Sequence, residues 1–380
     1  MPRRAAPKHA DLASTVNALK SKYPGKVFDA GEYTMPWLLK RLPTGIIDID
    51  IATNGGLPAG GMSFFVGKQG TGKNWMANNV MREHQLRYGD DTAIAVVSTE
   101  MVFDKQFAHC CGVKVPMSGA EIDEVRKQYQ DEGVDLGPEE LELLEESAGT
   151  FLTVPPSVAE ESLEIAIDLI SSRQFDIVLI DSFGSLLTEH DEDTTLMDSP
   201  RVSGAAGLNT RFSRKLNHAL APDTEGNPNL TCVIGINQVR DNMNRANKYS
   251  PALSEGGGWA LKHARWLSLL LSPTGKLRDG KALIGKTVGW EITKQKAGGH
   301  EGARGSYDYL YGLTGIDRCA HSIRVAADHG VVERKGAWYS YQGQRIGQGA
   351  TNAADHVREV GLLSEIEAAT FRSAGVRHVW

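Results

Sequence analysis

The 380-residue sequence lacks the marks of several protein classes. It has no apolar run of about 20 residues, the length that a membrane-spanning helix requires, so no membrane partner is expected. Its four cysteines include no C-x-x-C pair, which predicts neither a disulfide framework nor a zinc site and favours a reducing, cytoplasmic compartment. No apolar run follows the basic residues near the first methionine, so no secretory signal is expected. There is also no internal repeat and no low-complexity segment.

Negative charge is concentrated in one stretch of the chain. The formal net charge is -6, from 41 Lys and Arg against 47 Asp and Glu. Residues 117–149 carry more than this whole excess, so the remainder is neutral to slightly basic and a nucleic-acid partner is not excluded. Gly133 and Gly137-Pro138 interrupt this acidic stretch. We interpret it as a helical insertion, a solvated helical pair being favoured over a dedicated binding surface.

The order of apolar segments predicts an α/β fold. Residues 11–23 have helical spacing, and this amphipathic helix must pack on its own chain or on a neighbouring subunit. From about residue 42, strands and helices alternate, which predicts a mostly parallel central sheet covered on both faces. Predicted strands are Met62–Val66, Ala93–Ser98, Phe151–Val154, Ile177–Ile180, Thr231–Ile236, Trp266–Leu271 and Val288–Thr293. Predicted helices among them are Asn74–Tyr88, Val158–Ser172 and Gly207–Leu220. We expect an N-terminal segment (1–41), a core (42–314) and a small α/β C-terminal region (315–380).

A glycine-rich motif follows the first predicted strand and opens a helix. It reads Gly67, Lys68, Gln69, Gly70, Thr71, Gly72, Lys73, Asn74. Such a loop points backbone N–H groups at phosphate oxygens, and its lysine reaches the β- and γ-phosphates. The last position normally carries Ser or Thr, whose hydroxyl ligates Mg²⁺. Here Asn74 offers an amide oxygen instead, so the metal site is expected to be altered.

Two acidic residues end apolar strands that would lie beside this loop. Asp181 ends the run from Phe175, and Glu100 ends the run from Ala93. A carboxylate at the position of Asp181 is suited to hold Mg²⁺. Glu100 could polarise an attacking water, although alone a strand-end glutamate is as readily a solvated side chain.

Further segments resemble RecA-type recombinases of bacteria and phages. They are Gly55-Gly56-Leu57-Pro58, Ile236-Asn237-Gln238-Val239-Arg240, the run Gly336–Gly343, Ile346–Gly349 and Asn352-Ala353. They occur in the order of that family over about residues 11–355, apart from the acidic stretch. The resemblance is to a phage-type or otherwise divergent member, and it implies a RecA-like P-loop ATPase core.

The resemblance implies a role for each matching position. Lys73 and the loop amides would bind ATP, Asn74 and Asp181 would hold Mg²⁺, and Glu100 would be the catalytic base. Asp104 and Phe107 would contact adenine. Gln238 would sense the γ-phosphate and relay it to a loop beginning at Val239. Lys294 and Lys296 would reach the ATP of a neighbouring subunit, where two cations stabilise transition-state charge; without the resemblance they are equally well an ordinary strand end.

DNA contact is implied for two loops, about residues 189–206 and 239–258. The first begins with acidic residues, which suits DNA poorly. Cations and flexible glycines suit sequence-independent phosphate binding. The candidates are Arg201, Arg211, Arg214, Arg240, Arg245, Lys248, Ser254, Gly256 and Gly257.

The function implied is ATP-dependent homologous pairing and strand exchange. Subunits would assemble as a helical filament on single-stranded DNA and pair it with double-stranded DNA, with the first helix as the polymerisation arm. Two alternatives stay open: a RecA-fold hexameric helicase or repair ATPase, and a filament-forming DNA-binding protein that does not hydrolyse ATP, which Asn74 favours. The enzyme class expected is a DNA-dependent ATPase with slow turnover.

Overall fold

The computed structural model describes residues 9–24, 26–29, 31, 34–131, 133–184, 186, 204–241, 253–312 and 315–376. Helices within these ranges are α1 (His9–Lys22), α2 (Pro36–Leu39), α3 (Ile47–Ala52), α4 (Lys73–Tyr88), α5 (Lys105–Cys110), α6 (Gly119–Asp131), α7 (Pro138–Glu145), α8 (Ala159–Ser171), α9 (Gly204–Ala219), α10 (Gly258–Ala264), α11 (Arg318–Asp328), α12 (Ala350–Glu359) and α13 (Leu363–Ser373). Strands are β1 (Arg41–Leu42), β2 (Leu57–Pro58), β3 (Met62–Gly67), β4 (Ala93–Ser98), β5 (Thr150–Val154), β6 (Ile177–Asp181), β7 (Cys232–Asp241), β8 (Leu253–Glu255), β9 (Leu267–Asp279), β10 (Ala282–Gln295), β11 (Arg304–Leu310), β12 (Val332–Lys335), β13 (Trp338–Tyr341) and β14 (Gln344–Gln348).

A large, mostly parallel sheet forms the centre of the molecule, as the alternation of strands and helices predicts. Its strand order is β11-β10-β9-β3-β7-β6-β4-β5. The pairs from β9 across to β5 are parallel, and β9, β10 and β11 are joined by antiparallel pairing. Because parallel strands end at the same edge, β3, β4, β6 and β7 bring their carboxyl ends together.

Apolar side chains fill both faces of this sheet. On one face, Trp75, Met76 and Val80 of α4 pack against strand residues such as Phe65. On the other face, residues of α8, α9 and α10 pack against strand residues such as Phe64. Strands buried on both sides need nearly continuous apolar runs, which explains why the central strands were predictable.

The strands at the antiparallel end are longer than the sequence predicts. The predictions Trp266–Leu271 and Val288–Thr293 cover only the buried parts of β9 and β10, which have 13 and 14 residues. Their outer halves form an exposed hairpin, with Leu283 and Ile284 partly in solvent. Strand β11 is absent from the predicted strands, because its outward residues include Asp308 and it buries only alternate side chains. Polar outer residues hide such strands from a search for apolar runs.

Strand β7 also extends beyond its predicted end. It includes Asn237 and Gln238 and continues to Asp241, and its last residues pair antiparallel with β8. The expected loop beginning at Val239 is therefore wrong at its start, because Val239, Arg240 and Asp241 pair as strand with Glu255, Ser254 and Leu253.

The acidic stretch is a helical pair, as predicted, formed by α6 and α7. Its apolar residues gather in a separate small cluster that includes Met117, Ile122 and Val125. Most of its described carboxylates, such as those of Asp123, Glu124 and Glu142, are exposed, and solvent screens their mutual repulsion. No helix in the described part of the chain is long and apolar enough to cross a bilayer.

Helix α1 exposes apolar side chains. Leu12 and Leu19 are 62% and 41% exposed, and Tyr23, just after the helix, is 43% exposed. This helix therefore leaves an apolar face in contact with solvent in the single chain.

The C-terminal elements pack around their own apolar cluster and are joined to α4 by charge. The cluster combines residues of α11, α12 and α13 with the β12-β13-β14 sheet, including Ile323, Tyr339 and Ile366. Arg318 donates hydrogen bonds to both carboxylate oxygens of Glu83 on α4, each at 3.1 Å, and binds Glu367 on α13 at 2.9 and 2.8 Å. One arginine thus connects three helices.

Candidate functional site

The glycine-rich motif forms a tight loop between β3 and α4, as predicted. Gly70 and Gly72 have φ of +71° and +95°, a backbone region that side chains other than glycine rarely adopt. A methyl group on Gly67 would lie 2.5 Å from the Thr71 hydroxyl oxygen and 2.6 Å from the Leu271 carbonyl oxygen. The glycines are therefore required by the shape of this loop.

Lys73 is held at the start of α4 by the loop itself. Its ammonium donates hydrogen bonds to the carbonyl oxygens of Gly67, at 3.1 Å, and Lys68, at 2.8 Å. The residue is 6% exposed. Burial lowers the pKa of Lys73, and the nearby carboxylates of Asp181 and Glu100 oppose that shift. This places a positive charge where a phosphate group would meet the loop.

The two predicted acidic residues lie at the same sheet edge as the loop. β4 and β6 are adjacent and parallel, with Ser98 opposite Asp181. The Ser182 hydroxyl donates to Glu100 at 3.2 Å, and the peptide bond between Asp181 and Ser182 is cis. Burial, and then the charge of Glu100, raises the pKa of Asp181 to about 6. A bound cation would relieve this electrostatic cost.

Asn74 lies directly against Asp181. Its amide nitrogen donates to a carboxylate oxygen of Asp181 at 2.7 Å, so the two predicted metal ligands are brought together. The oxygen donors at this edge are of the type that Mg²⁺ prefers, and Mg²⁺ usually takes one or two carboxylates together with substrate phosphates. No cluster of three or more His, Cys, Asp or Glu that could hold a metal exists among the residues described. The residues present fit a Mg²⁺ ion that phosphate groups help to bind.

Gln238 faces this edge from β7. It is opposite Gly67 of β3 in the sheet register, and its side chain is partly exposed. Gln238 is therefore within reach of a ligand that the loop binds. Residues 242–252, which follow β7, lie outside the described residues.

A cavity of about 400 Å³ joins these groups. Its lining includes the predicted residues Gln69, Gly70, Lys73, Asn74, Glu100, Asp104, Phe107, Asp181 and Gln238. Asp104 also caps α5, where its carboxylate accepts the Phe107 backbone N–H at 2.8 Å. The cavity is also lined by four residues that were not predicted: Asn78, Met101, Val102 and Phe103. The three that follow Glu100 carry no motif, and only their position after a strand end could have indicated them.

Lys294 and Lys296 are not among the residues that line this cavity. They lie at the end of β10 and bind the last turn of α10. Lys294 donates to the Lys262 carbonyl, and Lys296 donates to the His263 carbonyl at 2.7 Å. Burial, and then the charges of Lys296 and Arg265, lowers the pKa of Lys294 to about 8. Two ammonium groups held together in this way favour the approach of an anion.

The predicted DNA-binding residues are only partly described. Arg211 and Arg214 are exposed on α9. Gly256 and Gly257 come just before α10. The Gly256 carbonyl accepts a hydrogen bond from the Asn237 amide at 3.1 Å, and the Gly257 carbonyl accepts one from the Asn209 amide at 3.3 Å. The backbones of Arg240 and Ser254 are opposite each other in β7 and β8, but their side chains lie outside the description. Arg201, Arg245 and Lys248 lie outside the described residues altogether.

Sequence comparisons match this chain to both domains of one protein family. The family model of the RecA N-terminal domain matches residues 135–314, and that of the RecA C-terminal domain matches residues 322–372. Protein RecA of Heliobacterium modesticaldum is 28% identical over 360 residues, which cover 94% of this chain and 90% of that protein. Protein RecA of Syntrophobacter fumaroxidans is 28% identical over 345 residues, 90% of this chain and 87% of that protein. A crystal structure of the RadB recombinase aligns with a TM-score of 0.44 at 18% identity, over 72% of this chain and 98% of that one. The chain belongs to the RecA family.

Proposed function

We propose that this RecA-family chain is an ATP-dependent recombinase that forms helical filaments on single-stranded DNA and pairs that strand with a homologous duplex. The observation that carries the proposal is the separation of two sets of cations within one chain. Lys73 lines the cavity at the carboxyl edge of the sheet, whereas Lys294 and Lys296 lie at the end of β10, bound to the last turn of α10, and do not line it. A second subunit that presents its lysine pair to this cavity would complete the site. Assembly and ATP turnover would then depend on each other.

Within that site, each group has a distinct task. The loop amides and Lys73 bind the triphosphate, and Asp181 with Asn74 would hold Mg²⁺, which neutralises phosphate charge when it is bound. Glu100 orients and polarises the attacking water, supported by its hydrogen bond from Ser182. Phe107 and Asp104 line the part of the cavity suited to a base. Gln238 lies beside the phosphate loop in the sheet and shortly before the end of β7 along the chain, so it can connect nucleotide state with the segment that follows.

DNA contact in this proposal comes from the segments next to α9 and α10. Arg211 and Arg214 supply exposed cations, and the residues outside the description add Arg201, Arg245 and Lys248. Gly256 and Gly257 are held by Asn237 and Asn209, so that this end of the second segment is fixed to the core. Such contacts read the backbone, and sequence recognition belongs to base pairing. The division of the chain near residues 41 and 314 stays a prediction.

Electron microscopy with single-stranded DNA and a non-hydrolysable ATP analogue tests the assembly. We expect helical filaments that require both DNA and nucleotide, together with an ATPase activity that single-stranded DNA stimulates. Closed rings would support the hexameric helicase or repair ATPase instead. Filaments without measurable turnover would support the DNA-binding protein that does not hydrolyse ATP.

Removal of residues 1–24 tests the role of α1 as the polymerisation arm. The exposed Leu12 and Leu19 stabilise assembly if they pack on the next subunit, because burying each leucine contributes about 1.5–3 kcal/mol. We expect a folded monomer that still binds ATP weakly and forms no filaments, as measured by light scattering and microscopy. Loss of folding would show that α1 belongs to the core of its own chain. The double variant Leu12→Ala with Leu19→Ala, which keeps the helix, should show the same defect more mildly.

Substitution of Asn74 by threonine tests the altered metal position. The Asn74 amide donates to Asp181 at 2.7 Å, and this bond competes with Mg²⁺ for the same carboxylate. A threonine hydroxyl can ligate the ion at the short distance that octahedral geometry demands. We therefore expect Asn74→Thr to need about three- to tenfold less Mg²⁺ for half-maximal turnover, the equivalent of one hydrogen bond. The difference in turnover between Asn74→Thr and the unmodified chain should become smaller at saturating Mg²⁺.

ATP binding without divalent metal is the control for Asn74→Thr, since Lys73 and the loop amides are unchanged. It should be the same in both proteins. Superimposable Mg²⁺ titrations of turnover would show that Asn74 does not affect the metal site.

A further inference from the structure

A second lysine reaches the phosphate loop from the antiparallel end of the sheet. Lys286 of β10 places its ammonium 2.5 Å from the carbonyl oxygen of Gly70. The same ammonium lies over the ring of Tyr309, 5.3 Å from its centroid. Lys286 belongs to no motif, and it lies more than 200 residues from Gly70 along the chain. The contact therefore exists only through the fold.

Lys286 also lines a cavity that continues the nucleotide cavity. This second cavity, of about 290 Å³, includes Gly72, Trp75, Tyr309 and Tyr311. It shares Gly70, Lys73, Asn74 and Phe107 with the first. The two lysines thus lie on one continuous surface, each bound to carbonyl oxygens of the same loop.

The contact to Gly70 sets the direction of a peptide group. In a trans peptide the C=O and the following N–H point in opposite directions. Because the Gly70 carbonyl points at Lys286, the N–H of Thr71 points to the other side of the loop. Loop N–H groups are what bind phosphate oxygens in such motifs. Lys286 therefore fixes the orientation of one peptide group in the phosphate loop.

The charge of Lys286 is poorly compensated within its cavity. No carboxylate is among the described residues that line it. Partial burial lowers the pKa of Lys286, which reflects the cost of holding an ammonium away from water. A polyanion bound at the loop would offset that cost. The predicted metal position differs in this respect, because it contains a carboxylate, that of Asp181, to which Asn74 donates a hydrogen bond.

We propose that Lys286 is a positioning residue of the nucleotide site, which orients the Gly70–Thr71 peptide and adds positive charge for the triphosphate. Part of the nucleotide affinity is then independent of divalent metal. This inference rests on the proposed ATP-binding function of the loop. It assigns a role to a residue outside the glycine-rich motif.

Calorimetric titration of ATP into Lys286→Gln tests the inference, in Mg²⁺ and in EDTA. We expect affinity about tenfold weaker in EDTA, the effect of one charge-assisted hydrogen bond, and a smaller loss in Mg²⁺, where the ion already neutralises phosphate charge. Lys286→Arg keeps a donor and a charge and should stay within about threefold of the unmodified chain. Thermal unfolding without nucleotide should be unchanged, because Lys286 is partly exposed.

Lys276→Gln is the matched control. Lys276 is opposite Lys286 in the β9–β10 register and is exposed. Its substitution therefore removes the same charge from a neighbouring position and leaves the contact between Lys286 and Gly70 in place. It should change ATP affinity less than about twofold. Equal losses in Lys276→Gln and Lys286→Gln would overturn the positioning role, as would unchanged affinity of Lys286→Gln in EDTA. If Lys73→Ala loses ATP binding while Lys286→Gln keeps it, this inference alone fails; if Lys73→Ala also binds normally, the proposed function fails.

Discussion

Replacement of Lys294 and Lys296 by alanine should lower DNA-stimulated ATP turnover about 10³-fold, the scale of a cation supplied by a partner to transferring phosphate. Binding of ATP to the single subunit should stay unchanged, because neither lysine lines that subunit's own cavity. Burial and mutual repulsion already lower the pKa of Lys294 to about 8. An approaching triphosphate relieves that repulsion, and this is why the pair is expected to act at an interface.

Two controls separate this effect from damage to α10. The lysines bind the last carbonyls of α10, so their removal also costs about 0.3–1 kcal/mol of helix stabilisation. Thermal unfolding measures that part. The double variant Lys276→Ala with Lys281→Ala removes two exposed lysines of the same hairpin and should keep full turnover.

Mixing the variant that lacks both Lys294 and Lys296 with the Lys73→Ala variant gives the sharpest test of a shared site. Each protein lacks what the other supplies. The variant without the lysine pair keeps an intact phosphate loop, and Lys73→Ala keeps the lysine pair. A shared site predicts that the mixture recovers turnover that neither protein has alone. A mixture as inactive as its components would show that each subunit hydrolyses ATP without its neighbour.

Lys73→Ala is expected to abolish nucleotide-dependent DNA binding and turnover. Lys73 is nearly buried and is held by the Gly67 and Lys68 carbonyls, so its removal leaves phosphate charge uncompensated in a poorly solvated site. Loss of one charged hydrogen bond weakens ATP binding by about 10- to 100-fold, and the loss in turnover should be larger, about 10³-fold or more. Titration with a fluorescent ATP analogue and a DNA-stimulated ATPase assay measure the two effects.

The control for Lys73→Ala is Lys281→Ala, an exposed lysine in the turn between β9 and β10. It removes the same charge and should leave both measurements unchanged. ATPase activity of Lys73→Ala equal to that of the unmodified chain would refute the assignment of the phosphate loop.

The parts of the site that consist of consecutive residues could be predicted, because a short segment of the sequence is enough to identify each of them. The phosphate loop needs glycines within eight residues, and Asp181 and Glu100 each end an apolar strand whose neighbours follow from strand and helix alternation. The hydrogen bond from Asn74 to Asp181 could not be predicted, since it joins residues 107 positions apart. Lys286 was missed for the same reason. It lies in the exposed half of a hairpin whose polar residues give no apolar signal.

The roles of Lys294 and Lys296 show a different limit. The resemblance implied both the pair and the neighbouring subunit that it would reach. The bonds to the Lys262 and His263 carbonyls depend on how α10 ends against β10, which no local pattern records. Likewise, the extension of β7 to Asp241 depends on its pairing with β8 rather than on its own residues.

The contacts of Arg318 have a mechanical consequence for the whole chain. Helix α4 begins at Lys73 in the nucleotide site and carries Glu83 near its far end, where Arg318 joins it to α13 through Glu367. The two carboxylates are only 6% and 10% exposed. Pulling the C-terminal helices away from α4 would break the contact of Arg318 with Glu83, which would keep its contact with Arg82, at a cost of about 1–3 kcal/mol. The separated arrangement would therefore be the less populated one. Helix α4 and the C-terminal helices should therefore turn as one rigid lever, about 24 Å along the 16-residue helix, whenever the phosphate loop shifts.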